Sequence, residues 1–138
     1  MGRTGVLLRG PSGAGKSDLT LRLIDRGAVL VADDRVDLRR AGRGLVASAP
    51  TPLAGLIEVR GLGIVRLARL PEVELGLVVD LVPLSSVERL PEPARERLLG
   101  VALPRVALDP FAASTPAKIA LALDAGALLS LDDSASAA

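Results

Sequence analysis

The sequence has no cysteine, histidine, tryptophan or tyrosine, and only one phenylalanine, Phe111, in 138 residues. Without cysteine there is no disulfide framework, no thiolate zinc site and no thiol nucleophile. Without histidine, no imidazole base and no phosphohistidine intermediate can come from this chain. The near absence of aromatics leaves the core to Leu, Val, Ile and Ala, and removes the stacking platform that single-stranded nucleic acid requires. Charge of one sign is also lacking. Seventeen basic and sixteen acidic residues give a formal net charge of +1, which sets up no field for a polyanion, so no nucleic-acid partner is expected. Long apolar runs are missing too. The longest uncharged stretch, 44–57, is broken by Pro50 and Pro52 and is too short to span a bilayer, so no membrane association is expected. Only Val6, Leu7 and Leu8 separate the opening residues from Arg9. That is shorter than the apolar core of a signal peptide, and the cytoplasm is the expected location.

What is present reads as one globular α/β domain over 1–138, with a polar, small-residue tail near 130–138. Hydrophobic residues make up 49% and charged residues 24%, a composition able to bury a core. Residues 5–8 read as a buried strand and 16–26 as a helix stopped by Gly27. The apolar run 28–32 reads as a second strand, ending in the pair Asp33 and Asp34. Residues 36–39 and 45–48 read as a hairpin around 41–44, followed by a loop at 49–52. Two apolar pieces within 56–67 bracket Gly61 and Gly63, predicting a bend with Glu58 and Arg60 at its edge. Residues 75–82 read as a strand around Asp80, 91–100 as a short helix, 101–108 as a strand and 116–129 as a final helix.

Gly10, Pro11, Ser12, Gly13, Ala14, Gly15, Lys16 and Ser17 fit G-x-x-x-x-G-K-[ST] in full, between an expected strand and an expected helix. Glycines let the backbone curl until its amides converge on phosphate oxygens, and the helix adds its positive end. Lys16 supplies a point charge for the β and γ phosphates, and the Ser17 hydroxyl can ligate Mg²⁺. Lys16 is one of two lysines, the other being Lys118, against fifteen arginines. The pattern implies a nucleoside triphosphate but not a reaction. No Asn-Lys-x-Asp stands in the chain, which disfavours guanine recognition, and no Leu-Ser-Gly-Gly-Gln, which disfavours a transporter-type ATPase. A carboxylate for the metal or the nucleophile can come from Asp33 and Asp34 or from Asp80, each following an apolar strand. Spacing alone does not separate them.

Three stretches resemble one family. They are the phosphate loop at 10–17, then Leu30-Val-Ala-Asp-Asp34, then Ile57-Glu-Val-Arg-Gly-Leu-Gly-Ile64, the most specific of the three. Together they are similar to the catalytic domain of HPr kinase/phosphorylase in its short proteobacterial form. The resemblance implies a P-loop α/β fold whose nucleotide site is similar to that of phosphoenolpyruvate carboxykinase. It also implies an ATP-dependent serine kinase acting on HPr, the phosphocarrier of the phosphotransferase system, with dephosphorylation by inorganic phosphate that releases pyrophosphate. By the same resemblance Asp34 is the acid/base group, Lys16 the phosphate-binding lysine, Ser17 and Glu58 the Mg²⁺ ligands, Arg60 part of the signature loop, and Arg89 the family's essential arginine. A homo-oligomer, a hexamer in the family, is implied as well.

The chain departs from the family pattern twice. Family members carry a histidine ahead of the phosphate loop, whereas the nine residues before Gly10 contain none; an upstream segment of the gene is the expected explanation. The family's basic loop near the C-terminus corresponds here to 108–116, which contains no arginine, with Arg105 and Lys118 on either side. Phosphate needs cations, so phosphorolysis is expected to be weaker than kinase activity. Two other readings stay open: a catalytically weak ATP-binding regulatory module, and a P-loop kinase of a small metabolite.

Overall fold

The computed structural model describes residues 4–11, 13–33, 35–50 and 55–124. Among the described residues, eight strands and two α-helices follow in the order β1 (Gly5–Arg9), α1 (Lys16–Asp25), β2 (Asp37–Ala41), β3 (Gly44–Ser48), β4 (Leu56–Val59), β5 (Gly63–Arg66), β6 (Glu72–Leu81), β7 (Ala94–Leu98), β8 (Val101–Leu108) and α2 (Thr115–Leu123). A 3₁₀ turn at Leu84–Ser86 follows β6.

The ten-residue strand β6 is the axis of the main sheet. Its first residues pair antiparallel with β3, its middle pairs parallel with β1, and its last four residues pair parallel with β8. The β2–β3 and β7–β8 hairpins extend the sheet, and β4–β5 forms a separate two-stranded ribbon. The pairing of β1 with β6 shifts register by one residue, Gly5 opposite Leu75 and Val6 opposite Leu77, so Gly76 is an extra residue on β6. A bulge of this kind reverses the alternation of side chains. Before it, Leu75 packs with Leu45 and Ala47 on the hairpin face; after it, Leu77, Val79 and Leu81 join Leu19 of α1 and Ile119 of α2 on the helix face. Both faces are thereby filled by aliphatic side chains, with Leu19, Leu77, Val78 and Val79 fully buried.

Two expectations are corrected. Residues 91–100 are not a helix; β7 occupies 94–98 and pairs antiparallel with β8. Arg, Glu and Leu favour helices, but Leu99 and Gly100 both take positive φ, 48° and 80°, the backbone of a tight hairpin turn. The alternating exposure along β7 then matches a half-covered strand. Nor is 28–32 a strand. It makes a single bridge, Leu30 to Arg69, with Leu30 buried and Val29 half-exposed. The apolar run finds one rung of backbone partners and no ladder. The last helix ends at Leu123; the expected continuation to 129 and the tail at 130–138 lie outside the described residues.

Leu77 is the largest fully buried side chain of the central strand, so Leu77→Ala is expected to lower unfolding stability by about 2–5 kcal/mol through cavity formation. Chemical denaturation checks this, and an unchanged midpoint would contradict the central place given to β6.

Candidate nucleotide site

In the parallel part of the sheet, ligands gather beyond the carboxyl ends of the strands. β1 ends there at Arg9, and the glycine-rich loop starts at the next residue. Gly13 and Gly15 take φ of 81° and 96°, the left-handed region that side chains with a Cβ avoid. The Ala14 amide donates to the Pro11 carbonyl at 3.0 Å, closing the curl. Gly15 is the N-cap of α1 and no side chain caps it. The first helical hydrogen bond runs from the Leu19 amide to the Gly15 carbonyl at 3.0 Å, so the amides of the first turn stay available to an anion. Lys16 and Ser17 are the first two residues of α1. Ser12 lies outside the described residues.

The Ser17 hydroxyl donates to Asp33 Oδ1 at 3.1 Å, and the other oxygen of that carboxylate accepts the Glu58 amide at 3.4 Å. Asp33 thus ties the start of α1, just after the glycine-rich loop, to β4 of the ribbon. Sequence reasoning singled out the Asp33 and Asp34 pair but gave the role to Asp34, which lies outside the described residues. The acidic pair at the end of an apolar run was the sign that Asp33 mattered. Asp33, Ser17 and the Glu58 backbone are brought together. Glu58 is itself exposed on the outer face of the ribbon, while its neighbour Ile57 is buried. The bend expected around Gly61 and Gly63 is present: both have positive φ, the Leu62 amide donates to the Val59 carbonyl at 2.9 Å, and Arg60 is exposed in that turn. Arg89 is exposed between the 3₁₀ turn and β7 and has no hydrogen bond to the loop among the described residues.

Asp80 takes a structural part. It stands opposite Arg9 on β6 and binds it in a bidentate manner, Nε to Oδ1 at 2.7 Å and an Nη to Oδ2 at 3.1 Å. The same Arg9 reaches Glu96 at 2.5 Å, and Arg105 approaches both acids at 3.5 and 3.9 Å. These four residues lie on the sheet face away from α1, as their register with Val78 and Leu103 requires. The Asp80 hydrogen bond is the main cause that raises the Arg9 pKa. The Arg9 hydrogen bond holds the Glu96 carboxyl below its ordinary range. The network pins the residue immediately before Gly10.

A sequence profile of the HPr Serine kinase C-terminal domain matches residues 2–122. The chain belongs to this family. It is 40% identical over 116 residues to an HPr kinase/phosphorylase of Geobacillus thermodenitrificans, covering 75% of this chain and 38% of that protein. Against an HPr kinase/phosphorylase of Leptothrix cholodnii it is 41% identical over 117 residues, covering 75% and 36%. The chain therefore spans less than two-fifths of the length of these curated relatives. A solved structure, that of the Hpr(Ser) kinase/phosphatase from Coxiella burnetii, matches with a TM-score of 0.78 at 30% identity, over 95% of this chain and 92% of that one. The α/β fold is accordingly that of the HPr serine kinase C-terminal domain. No helix among the described residues is long and apolar enough to cross a membrane.

The lowered Glu96 pKa gives a pH test. A depressed carboxylate contributes stability that is fully present above its unfolded pKa of about 4.3 and is lost as pH falls through its folded value. The difference in Tm between the wild type and Glu96→Gln is expected to be constant near pH 7 and to shrink below about pH 4. A difference independent of pH would show that Arg9 does not hold this carboxylate charged.

Proposed function

We propose that this domain binds ATP at the 10–17 loop and transfers its γ-phosphoryl group to a serine of the phosphocarrier HPr. The observation that carries the reading is the Asp33 bridge between Ser17 and the Glu58 amide, next to an uncapped helix start. It sets hydroxyl and carboxylate oxygens beside the place where amides and Lys16 would receive a triphosphate. Family membership supports the activity, since the relatives of this chain are named HPr kinase/phosphorylase.

The residues fit Mg²⁺, which prefers hard oxygen ligands. Ser17 and Glu58, with Asp33 beside them, would hold it, and the ion would neutralise charge on the β and γ phosphates. Lys16 binds the same phosphates as a point charge. Asp34 accepts the proton of the attacking seryl hydroxyl as the oxygen–phosphorus bond forms and the bond to the β,γ-bridging oxygen breaks, releasing ADP. Arg60 and Arg89 are exposed guanidinium groups able to steady phosphate oxygens. In the reverse sense, a phosphate oxygen attacks the phosphoserine, Asp34 returns the proton to the serine oxygen, and pyrophosphate leaves.

Transfer from labelled ATP to purified HPr, with calorimetry alongside, tests this reading. Lys16→Ala is expected to weaken ATP binding by about tenfold or more, the loss of one charge-assisted contact. Asp34→Asn is expected to keep ATP binding and lower transfer by about 10²–10⁴-fold. Transfer by Asp34→Asn at the wild-type rate would remove the assigned base. A wild type that binds ATP and HPr but transfers nothing would instead make the domain a regulatory module.

Phosphorolysis is expected to be the slower direction. The connection from β8 to α2 contains no basic residue, and Arg105 before it is engaged with Glu96 and Asp80. Pyrophosphate release from phosphoseryl-HPr should fall well below the forward rate at equal substrate, and equal rates would refute this.

A further inference from the structure

Phe111, the only aromatic side chain of the sequence, lies in the connection between β8 and α2 and is 67% exposed. A single exposed apolar residue needs no explanation by itself. Here the surroundings give one. A Cβ placed on Gly15 would come within 2.9 Å of both Cε1 and Cζ of Phe111. The ring edge therefore rests on the backbone of the residue just before Lys16. Glycine at 15 serves two ends: it allows φ of 96° and it leaves room for the ring.

The segment carrying Phe111 is tied down on both sides. Arg22 of α1 donates to the Ala112 carbonyl at 3.3 Å and also to the Pro110 carbonyl. The Phe111 amide donates to Asp109 Oδ1 at 3.0 Å, and the Thr115 hydroxyl donates to the Asp109 carbonyl at 2.5 Å. The helix whose first turn borders the phosphate loop thus also fixes the backbone that presents the ring. An exposed aromatic held in register with a phosphate-binding loop is preorganised for a ligand with a flat apolar part next to an anionic tail.

We propose that Phe111 is the platform on which the base of the bound nucleotide stacks. The proposal rests on the nucleotide reading above and extends it from the phosphate tail to the base. Every nucleobase has a π face, so stacking supplies affinity without reading the hydrogen-bonding edge. With no tyrosine or tryptophan in the chain, Phe111 is the only side chain able to offer a benzenoid or indole face. At this contact the site discriminates little between adenine and guanine.

Calorimetry with the full chain tests the assignment, using ATP, GTP and tripolyphosphate, each with Mg²⁺. Tripolyphosphate has the tail and no base. Phe111→Ala is expected to weaken ATP and GTP by a similar factor, about tenfold, and to leave tripolyphosphate within twofold of wild type. Phe111→Trp is expected to restore ATP binding. Phe111→Leu keeps apolar bulk against Gly15, so it covers the case in which alanine lets the loop collapse; it is expected to lose most of the same affinity. Equal weakening of ATP and tripolyphosphate in both the alanine and leucine variants would make the ring a prop for the loop and overturn the proposal. Unchanged ATP affinity in Phe111→Ala would place the base elsewhere and leave the nucleotide site itself intact. A wild type that binds neither ATP nor tripolyphosphate would overturn the nucleotide reading and this proposal together.

Discussion

The parallel ladder between β1 and β6 is the constraint on which the site depends. Its last rung sets Arg9 opposite Asp80, and the glycine-rich loop begins at the next residue. A loop with left-handed glycines has little stiffness of its own. Its starting point must be held by something else, and a bidentate guanidinium–carboxylate pair with a second acid behind it does so. At the other end, α1 anchors the loop through Leu19, fully buried against Leu77 and Val79. The glycine-rich loop thus runs between two fixed ends.

Much of this was legible from sequence because the relevant forces are local. The loop pattern, the helix after it and the bend at Gly61 and Gly63 follow from backbone freedom and from short-range periodicity. The readings that failed concern which backbone partners a segment finds. Residues 91–100 carry good helix formers, yet they pair with β8, and the decisive feature was the two-residue turn at Leu99 and Gly100. Residues 28–32 are β-branched and apolar, yet they meet one backbone partner. Neither outcome follows from propensity, which is a weak guide once tertiary pairing competes.

The site shows the same division. Lys16 and Ser17 follow from a contiguous motif. The role of Asp33 as a bridge to the ribbon does not, because it depends on the Glu58 amide of β4, 25 residues further along the chain. Spacing left Asp80 equal to the acidic pair as a candidate. Its side chain turns to the face away from α1, where Arg9 and Arg105 meet it. Which face a strand residue takes depends on register, and here on the bulge at Gly76.

That bulge makes the positions of β6 unequal under genetic change. Swapping one aliphatic side chain for another along β6 alters volume at a single spot. A deletion depends instead on where it falls: losing Gly76 would leave Leu75 and Leu77 as neighbours in plain alternation with every face kept, whereas losing Val78 would send Val79 and Leu81 toward the hairpins and Asp80 into the aliphatic layer beneath α1. The strand can lose its bulged residue far more safely than any residue of the paired ladder that carries Asp80.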